Sequence, residues 1–187
     1  MEDSRPASEG TLWTIGHSTR PWNAFVDMLR DAGITQLVDV RRFAGSRRNP
    51  QFSPVLMAPA LGDAGIEYIP MPELGGRRPP QKDSPNGAWR IAAFRGYADY
   101  MATPEFALAR GRLMPLAIDE STAVMCAEAV WWQCHRRLIA DDFTARDWRV
   151  LHLMAPGKVQ VHPLNPAARM RDGVLRYPPE GDQVSLF

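Results

Sequence analysis

The chain reads as an α/β protein: a single domain with a mostly parallel sheet flanked by helices, followed by a flexible C-terminal tail. Three observations predict this. Short apolar runs alternate along the chain with segments of helical period. The unusual polar side chains fall just after those runs, where strands of such sheets end. A chain of 187 residues, 45% hydrophobic and 23% charged, is enough for one core and shows no internal repeat.

Residues Thr11–Ile15 form a first apolar run, followed by the polar turn Gly16-His17-Ser18-Thr19-Arg20 and by Pro21, suited to a first helical position. Trp22, Phe25, Val26 and Leu29 then recur at helical spacing, and Gly33 supplies the stop. A second strand, Thr35–Val40, leads into the arginine-rich loop Arg41–Pro50. Ser53-Pro54 opens a helix running toward Gly65, with Pro59 expected to weaken or kink it, and Ile66–Pro70 is a third strand. Residues Glu73–Ala88 carry so many Gly, Pro and charged residues that they read as one long loop. Phe94–Met101 and Pro104–Leu116 are helices, Thr122–Glu128 a buried strand, and a further helix runs through Leu138 and Ile139 toward Phe143. Arg149–Leu153 and Val159–His162 are the last strands. Residues 1–10 read as a disordered N-terminus, 11–164 as the domain and 165–187 as the tail.

Composition excludes several classes. No apolar stretch approaches bilayer length and the polar start lacks the apolar core of a signal peptide, so a cytoplasmic protein without membrane contact is expected. Two cysteines, Cys126 and Cys134, do not make a disulfide framework. A net charge of +1 excludes a general polycation, and any affinity for nucleic acid has to come from local clusters.

Such clusters are present. Arg41, Arg42, Arg47 and Arg48 lie within eight residues, and Arg77 and Arg78 follow a Gly-Gly pair. Guanidinium groups grip phosphate and carboxylate as a fork, and only two lysines, Lys82 and Lys158, accompany them. The competing reading is a solvated surface with ion pairs to Asp39, Asp63 or Glu73. Gly16 and Ser18 at a strand-to-helix turn suit a phosphate cradle, although Ser18 or Thr19 as a simple helix cap explains them equally well, with His17 left over. Cys134, beside His135, Arg136 and Arg137 near a helix start, is the better candidate for a reactive thiol, with Cys126 a small core residue. Glu128 fits a general acid/base or a counter-ion. Cys126, Cys134, His135 and His17 match no zinc spacing, so neither metal nor other cofactor is expected. Trp89, Trp131 and Trp132 beside the basic segments could stack bases, or pack in the core.

The ordered set Thr14-Ile15-Gly16-His17-Ser18, Asp39-Val40-Arg41, Leu74-Gly75-Gly76-Arg77, Phe94-Arg95-Gly96-Tyr97 and Cys126-Ala127-Glu128 with Cys134-His135-Arg136-Arg137 resembles the bacterial family called domain of unknown function 488. The resemblance covers Thr11 to Asp142. It implies a cytosolic prokaryotic α/β domain with its site at these motifs, and it implies no reaction and no cofactor. At the chain's end, Gln183, Leu186 and Phe187 look like the Gln-x-x-Leu-Phe peptide that docks replication and repair proteins on the DNA sliding clamp.

Three functions therefore stay open at this point. The first is a nucleic-acid-associated protein, acting in DNA repair or processing, that grips phosphate with Arg41, Arg42, Arg77, Arg78, Arg136 and Arg137. The second is a thiol-dependent enzyme on a small anionic metabolite, with Cys134 as nucleophile, His135 or His17 as base and Glu128 orienting it. The third is a non-catalytic clamp-binding adaptor. Whether the chain is an enzyme, and its oligomeric state, are not written in the sequence.

Overall fold

The computed structural model describes residues 10–45 and 47–181. In chain order the elements are β1 (Thr11–Gly16), α1 (Trp22–Asp31), β2 (Gln36–Asp39), α2 (Pro54–Asp63), β3 (Glu67–Pro70), α3 (Ala92–Tyr100), α4 (Pro104–Asp119), β4 (Thr122–Cys126), α5 (Arg136–Thr144), β5 (Arg149–Ala155), β6 (Lys158–Val161), β7 (Arg169–Arg171) and β8 (Val174–Arg176). Six strands form one sheet in the order β3-β2-β4-β1-β5-β6, while β7 and β8 form a separate hairpin. Strands β1 to β5 are parallel and β6 runs antiparallel on the edge. The mostly parallel α/β sheet predicted from the sequence is thus observed.

Every residue of β4 is buried, as a central strand covered on both faces requires. Alternation along the strands then sorts the core into two layers. Leu37, Ala123, Met125 and Ile15 face α1 and α2 through Phe25, Leu29, Met57 and Leu61. Leu12, Val38, Val124 and Cys126 face α3, α4 and α5 through Tyr97, Phe106, Leu113, Leu138 and Phe143. Thr103 caps α4, its hydroxyl accepting from the Phe106 amide at 3.3 Å.

This layering creates a crevice. The chain leaves β2 toward α2 on one face and leaves β4 toward α5 on the other, although β2 and β4 are neighbours. Loops that diverge from adjacent parallel strands open a cleft beyond their carboxyl ends, the usual ligand position in such sheets.

Pro59 lies inside α2, which continues past it to Asp63. Two local details differ from the sequence expectations. Pro21 is the residue before α1, not its first turn. The region from Asn165 onward, read as tail from its Pro, Gly and charge content, is packed as far as Tyr177. Leu175 and Tyr177 are buried, and the Tyr177 hydroxyl donates to Asp141 at 2.8 Å. The Tyr177 amide donates to the Asn86 side-chain Oδ1 and the Ala88 amide to the Tyr177 carbonyl, which ties it to the long loop. That loop is in turn gathered on Asp99, which accepts from Gln81, Ser84 and Asn86. Residues 1–9 and 182–187, with the Gln183, Leu186 and Phe187 motif, lie outside the described residues. No helix among the described residues is long and apolar enough to cross a membrane.

Candidate functional site

The end of β2 is braced by a buried fork. Arg41 lies over Asp39 with Nε–Oδ1 2.8 Å and Nη2–Oδ2 2.6 Å, and also donates to the Phe52 carbonyl and to His17 Nε2 at 3.1 Å. Four of its five N–H groups are therefore committed inside the protein. His17 stacks on Phe52 at 4.3 Å, and its Nδ1 donates to the Ser18 carbonyl at 2.9 Å. Burial lowers the His17 pKa to about 4, the neighbouring Arg41 adding to the effect, so the ring is neutral and Nε2 accepts from Arg41.

Strand β4 ends at Cys126, and the turn into α5 returns Cys134 and His135 to the same place. His135 Nδ1 lies 3.6 Å from Cys134 Sγ and 3.8 Å from Cys126 Sγ, and the three atoms are all within 4.8 Å of one another. Tyr97 backs the imidazole at 5.1 Å, while Gly76 leaves it room: a Cβ there would fall 2.9 Å from Nδ1. Burial raises the thiol pKa of Cys134, but the hydrogen bond from Cys126, the adjacent His135 and the Arg136 charge outweigh it and hold that pKa well below the usual thiol value. The Cys126 thiol is raised, first by its hydrogen bond to Cys134 and then by burial, so negative charge on the pair settles on Cys134.

Arg136 explains part of that anion. Its side chain is 1% exposed and has no carboxylate within ion-pair distance among the described residues. It donates to Thr14 Oγ1 and to the Glu128 and Ala129 carbonyls, while its backbone N–H reaches Cys134 Sγ at 3.5 Å. Gly16 is required beside it, because a Cβ there would lie 1.8 Å from the Glu128 carbonyl. From Thr14 a chain of hydrogen bonds runs on through the interior. The Thr14 hydroxyl meets His152 Nδ1 at 2.7 Å, His152 Nε2 meets His162 Nδ1 at 3.0 Å, and His162 Nε2 meets Asp141 at 2.8 Å. Burial and the neighbouring His162 and Arg136 push the His152 pKa down to about 2, fixing it as a neutral link.

A cavity of about 330 Å³ opens over the cysteine–histidine cluster, in the crevice between the ends of β2 and β4. Its floor is Cys126, Cys134 and His135, and its rim includes Arg42, Phe43, Arg77 and Glu128. Arg42 and Arg77 are exposed, both guanidinium groups lie over the Phe43 ring at 5.5 and 5.7 Å, and Phe43 is itself 64% exposed. Arg77 holds a left-handed backbone at φ +60, a conformation that costs a non-glycine residue free energy.

Six of the site residues expected from the sequence line this cavity: Arg41, Arg42, Arg77, Glu128, Cys134 and His135. The others have different work. The His17 and Ser18 amides donate to the Cys126 and Ala127 carbonyls, so the Gly16–Ser18 turn closes against β4 and does not cradle phosphate. Arg78 lies over the Tyr100 ring at 3.7 Å, Arg137 over Trp89 at 4.8 Å, and Arg136 is buried as described. Trp131 is buried and stacked on His152, and Trp89 is buried against Phe94, which leaves only Trp132 of the three exposed. Sequence reasoning missed Cys126 as a cavity residue, because a cysteine ending an apolar strand looks like core. It also missed Phe43 and Gln133, for which nothing beyond adjacency to the motifs offered a signal, whereas Gly76 stands inside one of the motifs quoted for the family.

Fold and site together define the class: an α/β protein whose sheet carries a cysteine–histidine cluster beneath an arginine rim. The chain belongs to the family described as Domain of unknown function DUF488, whose model matches residues 21–143, from the start of the first helix to the last turn of α5. No curated protein and no solved structure matches the chain.

Proposed function

We propose that this protein is an enzyme that takes a small anionic substrate into the β2–β4 cavity and acts on it at the Cys126–Cys134–His135 cluster. The observation that supports this is the placement of two exposed guanidinium groups, Arg42 and Arg77, on the rim of a cavity whose floor is two thiols and an imidazole. Neither arginine has a carboxylate within ion-pair distance among the described residues; Arg42 gives one N–H to the Arg77 carbonyl at 2.9 Å, and the other donors of the two forks can receive an anion. Arg41, which the sequence grouped with them, holds the floor rigid against Asp39 and offers at most one remaining N–H. Inorganic phosphate, titrated by calorimetry, should bind the native protein, and the pair Arg42→Ala/Arg77→Ala should weaken it at least tenfold. Charge-assisted hydrogen bonds contribute about 1.5–3 kcal/mol each, and about 1.4 kcal/mol is a factor of ten. The melting temperature should move little, since both side chains are exposed and touch only the exposed Phe43 ring and one loop carbonyl. Unchanged phosphate affinity would remove the anion from the reading.

A second reading, association with nucleic acid, is favoured by a separate feature. Arg169 and Arg176 face each other across the β7–β8 hairpin, Arg171 shares their side, and all three line a second cleft with Ser84 and Pro85. Like charges placed opposite each other on a hairpin are unfavourable unless something anionic lies between them. On this reading Phe43 stacks a base between its two arginines and the Gln183–Phe187 segment recruits the protein to the sliding clamp. Binding to single-stranded oligonucleotides should then fall steeply with salt and lose part of that slope in Arg169→Ala/Arg176→Ala. A flat salt response argues for the small-anion reading alone.

A further inference from the structure

We propose that Cys126 Sγ, Cys134 Sγ and His135 Nδ1 form a zinc site with three protein ligands and an open fourth position facing the cavity. The proposal departs from the expectation of no metal, and it rests on the cavity reading only for what would occupy the fourth position.

The distances carry the argument. Zinc bound tetrahedrally at about 2.3 Å to sulfur and about 2.0–2.1 Å to nitrogen holds those ligand atoms about 3.5 Å apart. The observed separations from His135 Nδ1 are 3.6 Å to Cys134 and 3.8 Å to Cys126, close to the edges of such a tetrahedron. Hydrogen bonds join the three atoms only in pairs, the Cys126 thiol with Cys134 and His135 Nδ1 with one sulfur at a time. An imidazole nitrogen carries one in-plane lone pair or one hydrogen, so Nδ1 can satisfy one of the two sulfurs but not both. A cation at the centre of the three atoms satisfies all of them at once.

The surroundings agree with a metal of this kind. Two thiolates and an imidazole are soft and borderline donors, a set that selects zinc over magnesium or calcium. Their charges neutralise a divalent cation, so the nearby buried Arg136 faces a neutral centre. The ligands come from a strand end and from the residues just before α5, both fixed by the sheet and by the Tyr97 ring. Glycine at position 76 leaves open the side of Nδ1 that a Cβ would crowd. Three protein ligands with an accessible fourth position is the pattern of catalytic rather than structural zinc. Here that position opens toward Arg42, Arg77, Gln133 and Glu128. An oxygen of a bound anion could therefore meet zinc on one side and guanidinium on the other.

The spacing hid this site from the sequence. Seven residues separate the two cysteines and the histidine follows the second directly, which matches no zinc-finger or ribbon pattern. Only the return of the chain from β4 to α5 closes the triangle.

The test is direct metal binding by the full chain. Protein purified without chelator should carry one equivalent of zinc by elemental analysis. After removal of metal, cobalt added at one equivalent should give a thiolate-to-cobalt charge-transfer band and the intense visible bands of tetrahedral coordination. Cys126→Ser, Cys134→Ser and His135→Ala should each weaken zinc at least a hundredfold in competition with a chromogenic chelator, with far-UV circular dichroism recorded on each variant. Wild-type protein that takes up no cobalt, or only octahedral cobalt without the charge-transfer band, overturns the proposal, and this readout needs no variant to fold. Zinc retained equally by a folded His135→Ala also overturns it. Inorganic phosphate titrated into zinc-loaded and zinc-free protein separates the two claims. Zinc binding without phosphate binding leaves the metal site standing and removes the anion reading, and phosphate binding without zinc does the reverse.

Discussion

Two polar assemblies meet at Arg136, and they are built on opposite plans. On one side the chain Thr14, His152, His162, Asp141 and Tyr177 is closed. Each donor meets one acceptor, the direction runs from Arg136 to the Asp141 carboxylate, and the carboxylate also accepts from the Tyr177 hydroxyl and the Asn165 amide. On the other side the Cys126, Cys134 and His135 cluster opens onto the cavity, and Arg42 and Arg77 on its rim have no carboxylate within ion-pair distance among the described residues. Buried polar groups that hold a fold together are satisfied by the fold; groups left unsatisfied at a cavity wait for something else. The comparison teaches which of this protein's many polar residues to disturb for stability and which for binding.

The sharpest way to break that division is Asp141→Ala. It strands His162 Nε2, the Tyr177 hydroxyl and the Asn165 amide, and should cost about 3–5 kcal/mol in urea unfolding, the cost of removing one partner from a buried charged network. Arg41→Ala should behave like it, because its donors hold Asp39, His17 and the Phe52 carbonyl. A loss under about 1 kcal/mol for both would show that the closed network does not support the fold.

Acid should come next in size. His17 and His152 have folded pKa values of about 4 and about 2. His17 faces Arg41, Asp39 and Arg136, and His152 faces His162 and Arg136. In the unfolded chain both titrate near 6.5, so below that pH the unfolded state binds protons that the folded state refuses. Stability is therefore full above about pH 6.5 and falls as pH drops, by about 1.4 kcal/mol per unit for each histidine. The His17 contribution levels off near pH 4 while that of His152 continues downward. Chemical denaturation between pH 7 and 4 measures the slope, and His152→Gln should reduce it by the share of one group. A flat profile would mean that neither ring is held neutral by burial.

The smallest effect sharpens the open side. Arg77→Gly removes a left-handed non-glycine residue and should stabilise the protein, by up to about 1 kcal/mol, since the relief of about 1–2 kcal/mol is partly offset by glycine's greater chain entropy. The same change should weaken phosphate. Opposite movement of melting temperature and affinity would mark Arg77 as strained for binding, whereas parallel movement would make it an ordinary loop residue.

Much of this was legible beforehand, and the reasons differ by residue. Strands and helices followed from apolar periodicity, and the gathering of Arg41, Arg42 and Glu128 at strand ends followed from the sheet being parallel. The fate of each arginine did not, because whether a guanidinium meets solvent or a carboxylate two residues away depends on which way the chain turns after β2. Arg41 and Arg42 are adjacent in sequence, yet one is locked on Asp39 and the other is exposed. His152 lies in β5 and His162 directly after β6, where one histidine looks like any polar interruption, and only the register of β5 with β6 brings the facing ring nitrogens to 3.0 Å. Residues 165–177 carried the composition of a tail, and the buried Ala168, Leu175 and Tyr177 anchor them.

The strand order has a consequence for how the protein is made. The first strand to leave the ribosome, β1, lies between β4 and β5, whose residues begin at Thr122 and Arg149. At roughly 5–20 residues per second of synthesis, β1 waits on the order of ten seconds for a neighbour. Strands β2 and β3 can meet much sooner. During that interval the apolar edges of β1 and the Gly16–Ser18 turn are unpaired, and the cavity cannot exist until β4 is inserted between β1 and β2. Folding of this chain should therefore be slow and late for its size, governed by one insertion in the middle of the sheet.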